Sequence, residues 1–223
     1  MRWSVIIPVM MLVFSNAPGM RAATRGSPAE IARALAALKR DPGNPKLLTD
    51  VGSQFALRAS EQGFPTDVED ARRYLLQSAK MDKDNPQTVA WLGALKCIEA
   101  KVRQSKGFVN QGFAQLDHAV SMSATDLVVR MVRGSVSVEV PKEYNKLDQG
   151  VADLEIVRAA HEKDPSALIS QRIEPAEMYL KLGKAYRAKG NIELARQMWA
   201  RASSGPPGKE RETATRLLAK YQK

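Results

Sequence analysis

Apolar residues recur at intervals of three and four along most of the chain, the spacing of one face of a helix, and no stretch keeps the strict alternation of a half-buried strand. The helical blocks come in pairs with regular punctuation. Gly52, Gly93, Gly134 and Gly183 stand 41, 41 and 49 residues apart, each inside the first block of a pair. About ten residues before each comes a helix-stopping linker: Asp41-Pro42-Gly43-Asn44-Pro45, Asp82-Lys83-Asp84-Asn85-Pro86, residues 122–126, and Lys163-Asp164-Pro165. The second blocks centre on Ala71, Tyr74, Leu75 and Ser78, on Phe113, Leu116 and Ala119, and on Leu154, Val157 and Ala160. Helical hairpins repeated at a near-constant period imply a solenoid, because one hairpin cannot bury its apolar face alone.

The last pair is the most specific. In residues 179–207, Tyr179, Leu182, Gly183, Tyr186, Gly190, Ala195, Trp199, Ala202 and Pro207 fall where the pattern W-x2-L-G-x2-Y, then A-x3-F, then P, places large, small and helix-ending residues. The chain resembles the tetratricopeptide repeat (TPR) family through these residues, and more weakly through the earlier glycines and linkers, over about residues 45–209. The resemblance implies an all-α, right-handed α-solenoid of about four TPR-like hairpins, approximately 45–85, 86–126, 127–175 and 176–209. It also implies a family that binds partners and rarely catalyses.

Two flanking helices are expected as caps. Ser27-Pro28-Ala29-Glu30 is a capping box with proline at the first helical position, and opens a helix within residues 24–44 whose apolar face carries Ile31, Ala34, Leu35 and Leu38. Residues 210–223 place Ala214, Leu217, Leu218 and Tyr221 on one stripe, with Arg211, Arg216 and Lys220 elsewhere, as a solenoid end needs for solubility. The 41-residue period exceeds the roughly 34 of the standard unit. The excess is expected between the two helices of each hairpin, at residues 61–67, 105–111 and 139–144. These segments carry Phe64, Phe108, Val109 and Tyr144, either to cap the longer helices or to meet a partner. Residues 166–175 add a further piece between hairpins three and four.

Ahead of the repeats, residues 1–14 join a charged start to an apolar run of about ten residues, half of what spans a bilayer. Residues 1–23 read as a secretory signal peptide, cleaved after Ala17 or near the Ala22-Ala23 pair, with an uncleaved anchor as the alternative. The expected location is periplasmic or secreted. One cysteine, Cys97, excludes an intrachain disulfide; either it is buried or it is a reactive thiol.

The chain carries no phosphate loop, H-E-x-x-H, C-x-x-C, nucleophile elbow or dinucleotide fingerprint. The only histidines are His118 and His161, each beside an acid late in a second helix. No catalytic residue, cofactor or metal site is therefore assigned, and the chain is read as a non-enzyme. The net charge of +10 is uneven: residues 171–223 hold 12 Lys plus Arg against 5 Asp plus Glu. That excess suits an acidic protein partner, an anionic membrane or polymer surface, or plain solubility, and nucleic acid least.

The TPR resemblance implies a groove lined by first helices. The stripe through the residue after each glycine then takes Thr49, Ser53 and Ala56; Gln87, Ala90, Ala94 and Cys97; Val128, Met131, Ser135 and Val138; and Glu177, Leu180, Lys184 and Arg187. Members that grip carboxylates use lysine, arginine and two asparagines, but Ser53 and Ala94 stand at the asparagine positions here, so that activity does not carry over. The expected partner site is Val128, Met131, Ser135, Val138, Leu180, Lys184 and Arg187, unless the apolar members only pack against a neighbouring helix. The leading expectation is a non-enzymatic protein- or peptide-binding scaffold or adaptor of the bacterial cell envelope. The alternative is a basic module acting on an anionic surface through the C-terminal region.

Overall fold

The computed structural model describes residues 25–102 and 107–221; the signal-peptide expectation for residues 1–23 lies outside them. The described residues are helical and irregular, without strands. α1 (Pro28–Arg40) leads into four antiparallel pairs: α2 (Pro45–Gln62) with α3 (Pro65–Met81), α4 (Pro86–Val102) with α5 (Gly107–Met122), α6 (Leu127–Glu139) with α7 (Leu147–Lys163), and α9 (Pro175–Ala188) with α10 (Ile192–Ser203). The five-residue α8 (Ser166–Ser170) sits between the third and fourth pairs, and α11 (Lys209–Lys220) closes the array against α9 and α10. The architecture is an α-solenoid of four hairpins between two capping helices.

The linkers start helices by a common device. The side chains of Asn44, Asn85 and Asp126 accept hydrogen bonds from the backbone N–H groups two and three residues on, at 2.8–3.3 Å. These are N-caps that satisfy otherwise orphaned donors, and they recur every 41 residues. Proline follows Asn44 and Asn85 at the first helical position, where its missing N–H costs nothing.

Within each hairpin a glycine lets the helices touch. A Cβ on Gly52 would lie 2.7 Å from Leu75, one on Gly93 2.7 Å from the Gly112 carbonyl, one on Gly134 2.8 Å from Leu154, and one on Gly183 closer still to the Trp199 indole. The residues crossing these glycines are fully buried, and one continuous apolar core runs from Ile31 in α1 to Ala214 in α11.

The extra length expected between the helices of hairpins one and two is, where described, mostly helical instead. Only Gly63 and Phe64 separate α2 from α3, with Gly63 turning at φ 73°, and residues 107–111 already belong to α5. Among the described residues the long connection belongs to hairpin three, residues 140–146, which includes a 3₁₀ turn at Lys142–Tyr144. A turn added to each of two antiparallel helices lengthens the hairpin without rotating its buried face, so it satisfies more backbone groups than a loop would. The piece at residues 166–175 tucks inward: Leu168 and Ile173 are buried, and Arg172 turns the chain at φ 57°.

Candidate binding surfaces

Most of the stripe expected to face a groove is covered by the next hairpin. Thr49, Ser53 and Ala56 in hairpin one, Ala90, Ala94 and Cys97 in hairpin two, Val128 and Met131 in hairpin three, and Leu180 in hairpin four are all buried. Thr49 Oγ1 lies 2.6 Å from Thr88 Oγ1 and 2.9 Å from Ser78 Oγ, inside a hydroxyl cluster that joins hairpins one and two. Contacts between successive first helices, α2 with α4, α4 with α6 and α6 with α9, account for this burial. Gln87 is part-exposed but committed, donating to Asp126 at 2.9 Å. Val128, Met131 and Leu180 are thus packing residues, a correction to the expected partner site. Ser135, Val138, Glu177 and Lys184 stay partly exposed and Arg187 is exposed.

The first hairpin is tied back to the end of the array. Arg172 pairs with Glu30 at 2.8 Å and Asp50 at 2.7 Å, and Lys209 of α11 pairs with Glu61 of α2 at 2.7 Å. At the N-terminal side, the Gly26 N–H donates to Gln54 at 2.6 Å and Arg25 lies over the Trp91 ring. These links narrow the concave side to the region between the ends of the first helices and α9.

Charge gathers there. Lys181 pairs with Glu139, and the Lys101 ammonium donates to the Ser60 carbonyl at 3.3 Å. Desolvation raises the Glu139 carboxyl, but Lys181, Lys184 and Lys101 outweigh it and hold the carboxyl below its ordinary range. Lys184 has no ion-pair partner among the described residues. Desolvation, then Lys181, Lys209 and Arg187, push its ammonium below the usual lysine range against the opposing pull of Glu139. Arg187 instead donates to the Tyr221 hydroxyl at 3.1 Å and lies over that ring.

Next to this cluster is a cavity of about 510 Å³ at the lengthened hairpin tips, lined by the ends of α2, α4 and α6, the start of α5 and the 3₁₀ turn. Cys97, Ile98, Ala100, Val109, Val136 and Val140 form its apolar wall, with Lys101, Glu139 and Glu143 at polar positions. Cys97 is buried, and desolvation pushes its thiol up to about 12, so the thiolate needed for nucleophilic chemistry is scarce at neutral pH. Sequence reasoning placed Val109 and Tyr144 on this edge but missed Ile98, Val136 and Val140. The spacing of four between Val136 and Val140 was the available signal.

The titratable groups form no catalytic constellation among the described residues. His118 is exposed on α5; His161 packs edge-on against Tyr179, with ring centroids 6.1 Å apart. The most buried acid, Asp153, accepts from Arg130 at 2.7 Å and Arg133 at 2.6 Å, joining α6 to α7. Among the described residues no cluster of three His, Cys, Asp or Glu side chains could hold a metal ion, and no helix is long and apolar enough to cross a membrane.

The repeat-motif residues meet within hairpin four. Leu182, Ala195, Trp199 and Ala202 are fully buried, Tyr179 is 5% exposed, Gly183 lies under the indole, and Gly190 turns at φ 81°. Tyr186 donates to Glu155 of α7 at 2.6 Å, while Pro207 follows α10 at the surface. The chain has a TPR-like helical-repeat fold. The fold is similar to the crystal structure of a thermophilic TPR protein of Thermus thermophilus, with a TM-score of 0.61, 17% sequence identity, and coverage of 85% of this chain and 89% of that one. No family model matches the chain, and no curated protein matches its sequence. At that identity the likeness concerns the fold alone.

Proposed function

We propose that this chain is an exported, non-enzymatic scaffold of the bacterial cell envelope that receives a partner segment carrying acidic and apolar residues on the concave side, at Ser135, Val138, Lys184 and Arg187. Lys184 carries the reading. A part-buried ammonium surrounded by more cations than anions is destabilised until an anion arrives, so a partner carboxylate would be favoured there. Half-buried Val138 offers an apolar contact on α6. The export component rests on the apolar run of residues 5–14 after Arg2. Protein recovered from an envelope-containing host should begin between Pro18 and Thr24; an intact mass retaining Met1, with the protein in the membrane pellet, would indicate an anchor instead.

The binding component is tested with a photo-crosslinking residue in place of Val138 in cells that make the protein. A single crosslinked protein should form, and Lys184→Glu with Arg187→Glu should abolish it at unchanged helix content, since neither side chain holds an ion pair among the described residues. The second reading, a basic module on an anionic surface, draws on α11. Arg211 and Arg216 flank an open cleft with Glu212, and their hydrogen bonds go to the Gly205 carbonyl and the Thr213 hydroxyl. If Arg211→Glu with Lys220→Glu removes binding and the concave pair does not, that second reading is the better account.

A further inference from the structure

The cavity at the hairpin tips has the makings of a small-molecule site that owes nothing to a protein partner. Its volume of about 510 Å³ falls within the roughly 300–1,000 Å³ typical of ligand pockets, which are mostly apolar with a few placed polar groups. The whole lining draws on four helices and a 3₁₀ turn. The apolar wall offers water few of the two or more polar partners it needs. The polar groups sit to one side. Glu139 is taken up by Lys181, Lys101 donates only to a backbone carbonyl, and Lys184 lacks an ion-pair partner among the described residues. Glu143 also borders the cavity, exposed on the 3₁₀ turn.

We infer that the cavity binds a single-chain amphiphile with an anionic head, of the fatty-acid type: the hydrocarbon chain between α4 and α6, the carboxylate at Lys101 in the lining, with Lys184, which acts on the lining Glu139 from outside it, adding to the positive field. Burial of the chain supplies affinity in proportion to the apolar area removed from water. The two ammonium groups set the sign of the head group. A cationic head on the same chain would meet repulsion from both lysines, and a two-chain phospholipid would have to leave one tail in water.

The test titrates the full chain with a fluorescent polyene fatty acid and displaces it with palmitate. Saturable binding at one per chain is expected, with displacement by palmitate and about tenfold or more weaker displacement by the cationic amphiphile of equal chain length, a difference of about 1.4 kcal/mol. Saturation should also slow alkylation of Cys97 by N-ethylmaleimide, followed over hours at raised pH because the buried thiol is mostly protonated at neutrality, which ties binding to this cavity. Lys101→Glu with Lys184→Glu should weaken binding about tenfold or more at unchanged helix content, and Val136→Trp, which fills the cavity, should abolish it. If the tryptophan variant does not fold, the lysine pair decides. Absent saturable binding, equal displacement by the cationic chain, unprotected Cys97, or wild-type binding by the lysine variant would each overturn the assignment. Its failure would leave the scaffold reading intact, because that reading is measured by crosslinking to a protein.

Discussion

In hairpin four, Gly183 meets Trp199 sixteen residues later; in hairpin one, Gly52 meets Leu75 after twenty-three. The crossing is the same, a glycine against a fully buried side chain of the second helix, but the lever arms differ. α9 ends five residues beyond its glycine, whereas α2 runs ten beyond and α3 starts ten before Leu75. Hairpin two repeats the longer form, and hairpin three, with Leu154 twenty residues after Gly134, places its surplus in the 3₁₀ connection. Close helix contact is thus set locally by the glycine, while hairpin length is free to vary so long as added turns keep the apolar stripe in phase. The longer hairpins project past the shorter one, and the cavity lies where they do.

The hairpins also differ in what joins them, and the largest predicted effect tests that difference. Asp153 is fully buried between two arginines, so Asp153→Ala should cost about 3–5 kcal/mol by stranding their charges. In the hydroxyl cluster of hairpin one, Ser78→Ala should cost only about 1–3 kcal/mol. Equal losses in urea unfolding would show that ionic and neutral junctions are equivalent here.

The glycines come next. Gly93→Ala drives a methyl against the Gly112 carbonyl, and Gly183→Ala drives one into a fully buried indole; each should cost about 1–3 kcal/mol after relaxation. Gly52→Ala meets the Leu75 side chain at 2.7 Å and the Ala71 carbonyl at 3.2 Å; its shortest contact is an aliphatic side chain rather than a backbone carbonyl or an indole, and with the gain in helix propensity of about 1 kcal/mol it should be the mildest of the three. The urea midpoints should therefore order Gly52→Ala above the other two.

Ala195, buried in hairpin four, and Ala71, buried in hairpin one, occupy matching second-helix positions. Leucine at either should overpack it by about 1–3 kcal/mol, measured as a fall in the unfolding midpoint; a loss at Ala195 alone would mean that hairpin one is the looser packing. Lys189→Leu is the surface control. Lys189 pairs with Asp148 at 2.5 Å, but both are exposed, and the change should stay within about 1 kcal/mol.

The smallest effect belongs to the tip of hairpin one. Phe64 is 53% exposed there, so Phe64→Ser should shift stability by about 0.5 kcal/mol or less. Palmitate affinity should be unchanged too, since Phe64 does not border the cavity.

The fold was legible because its determinants are local. Asn44, Asn85 and Asp126 cap helices through their own next residues, and the glycines at 52, 93, 134 and 183 announce a close crossing wherever the second helix falls. Hairpin four could be read in detail because Tyr179, Ala195 and Trp199 sit at standard spacing. The partner surface was legible only in part. Periodicity placed Val128, Met131 and Leu180 on a common stripe with Lys184, but three of the four are buried and one is not, because the neighbouring helix covers a different share of each.

The chain by itself determined the helices, their caps, their pairing and the number of hairpins, all of which depend on residues a few positions apart and on a repeated spacing. Tertiary structure alone decided how far the array curls, which brings Arg172 onto Glu30 and Asp50 and Lys209 onto Glu61 across more than a hundred residues. It also decided that much of the surplus length became helix and that the lengthened tips frame an apolar cavity with Lys101 and Glu139 in its lining. Such features arise from the small rotation between successive hairpins, summed over the array, and no single stretch of sequence encodes that sum.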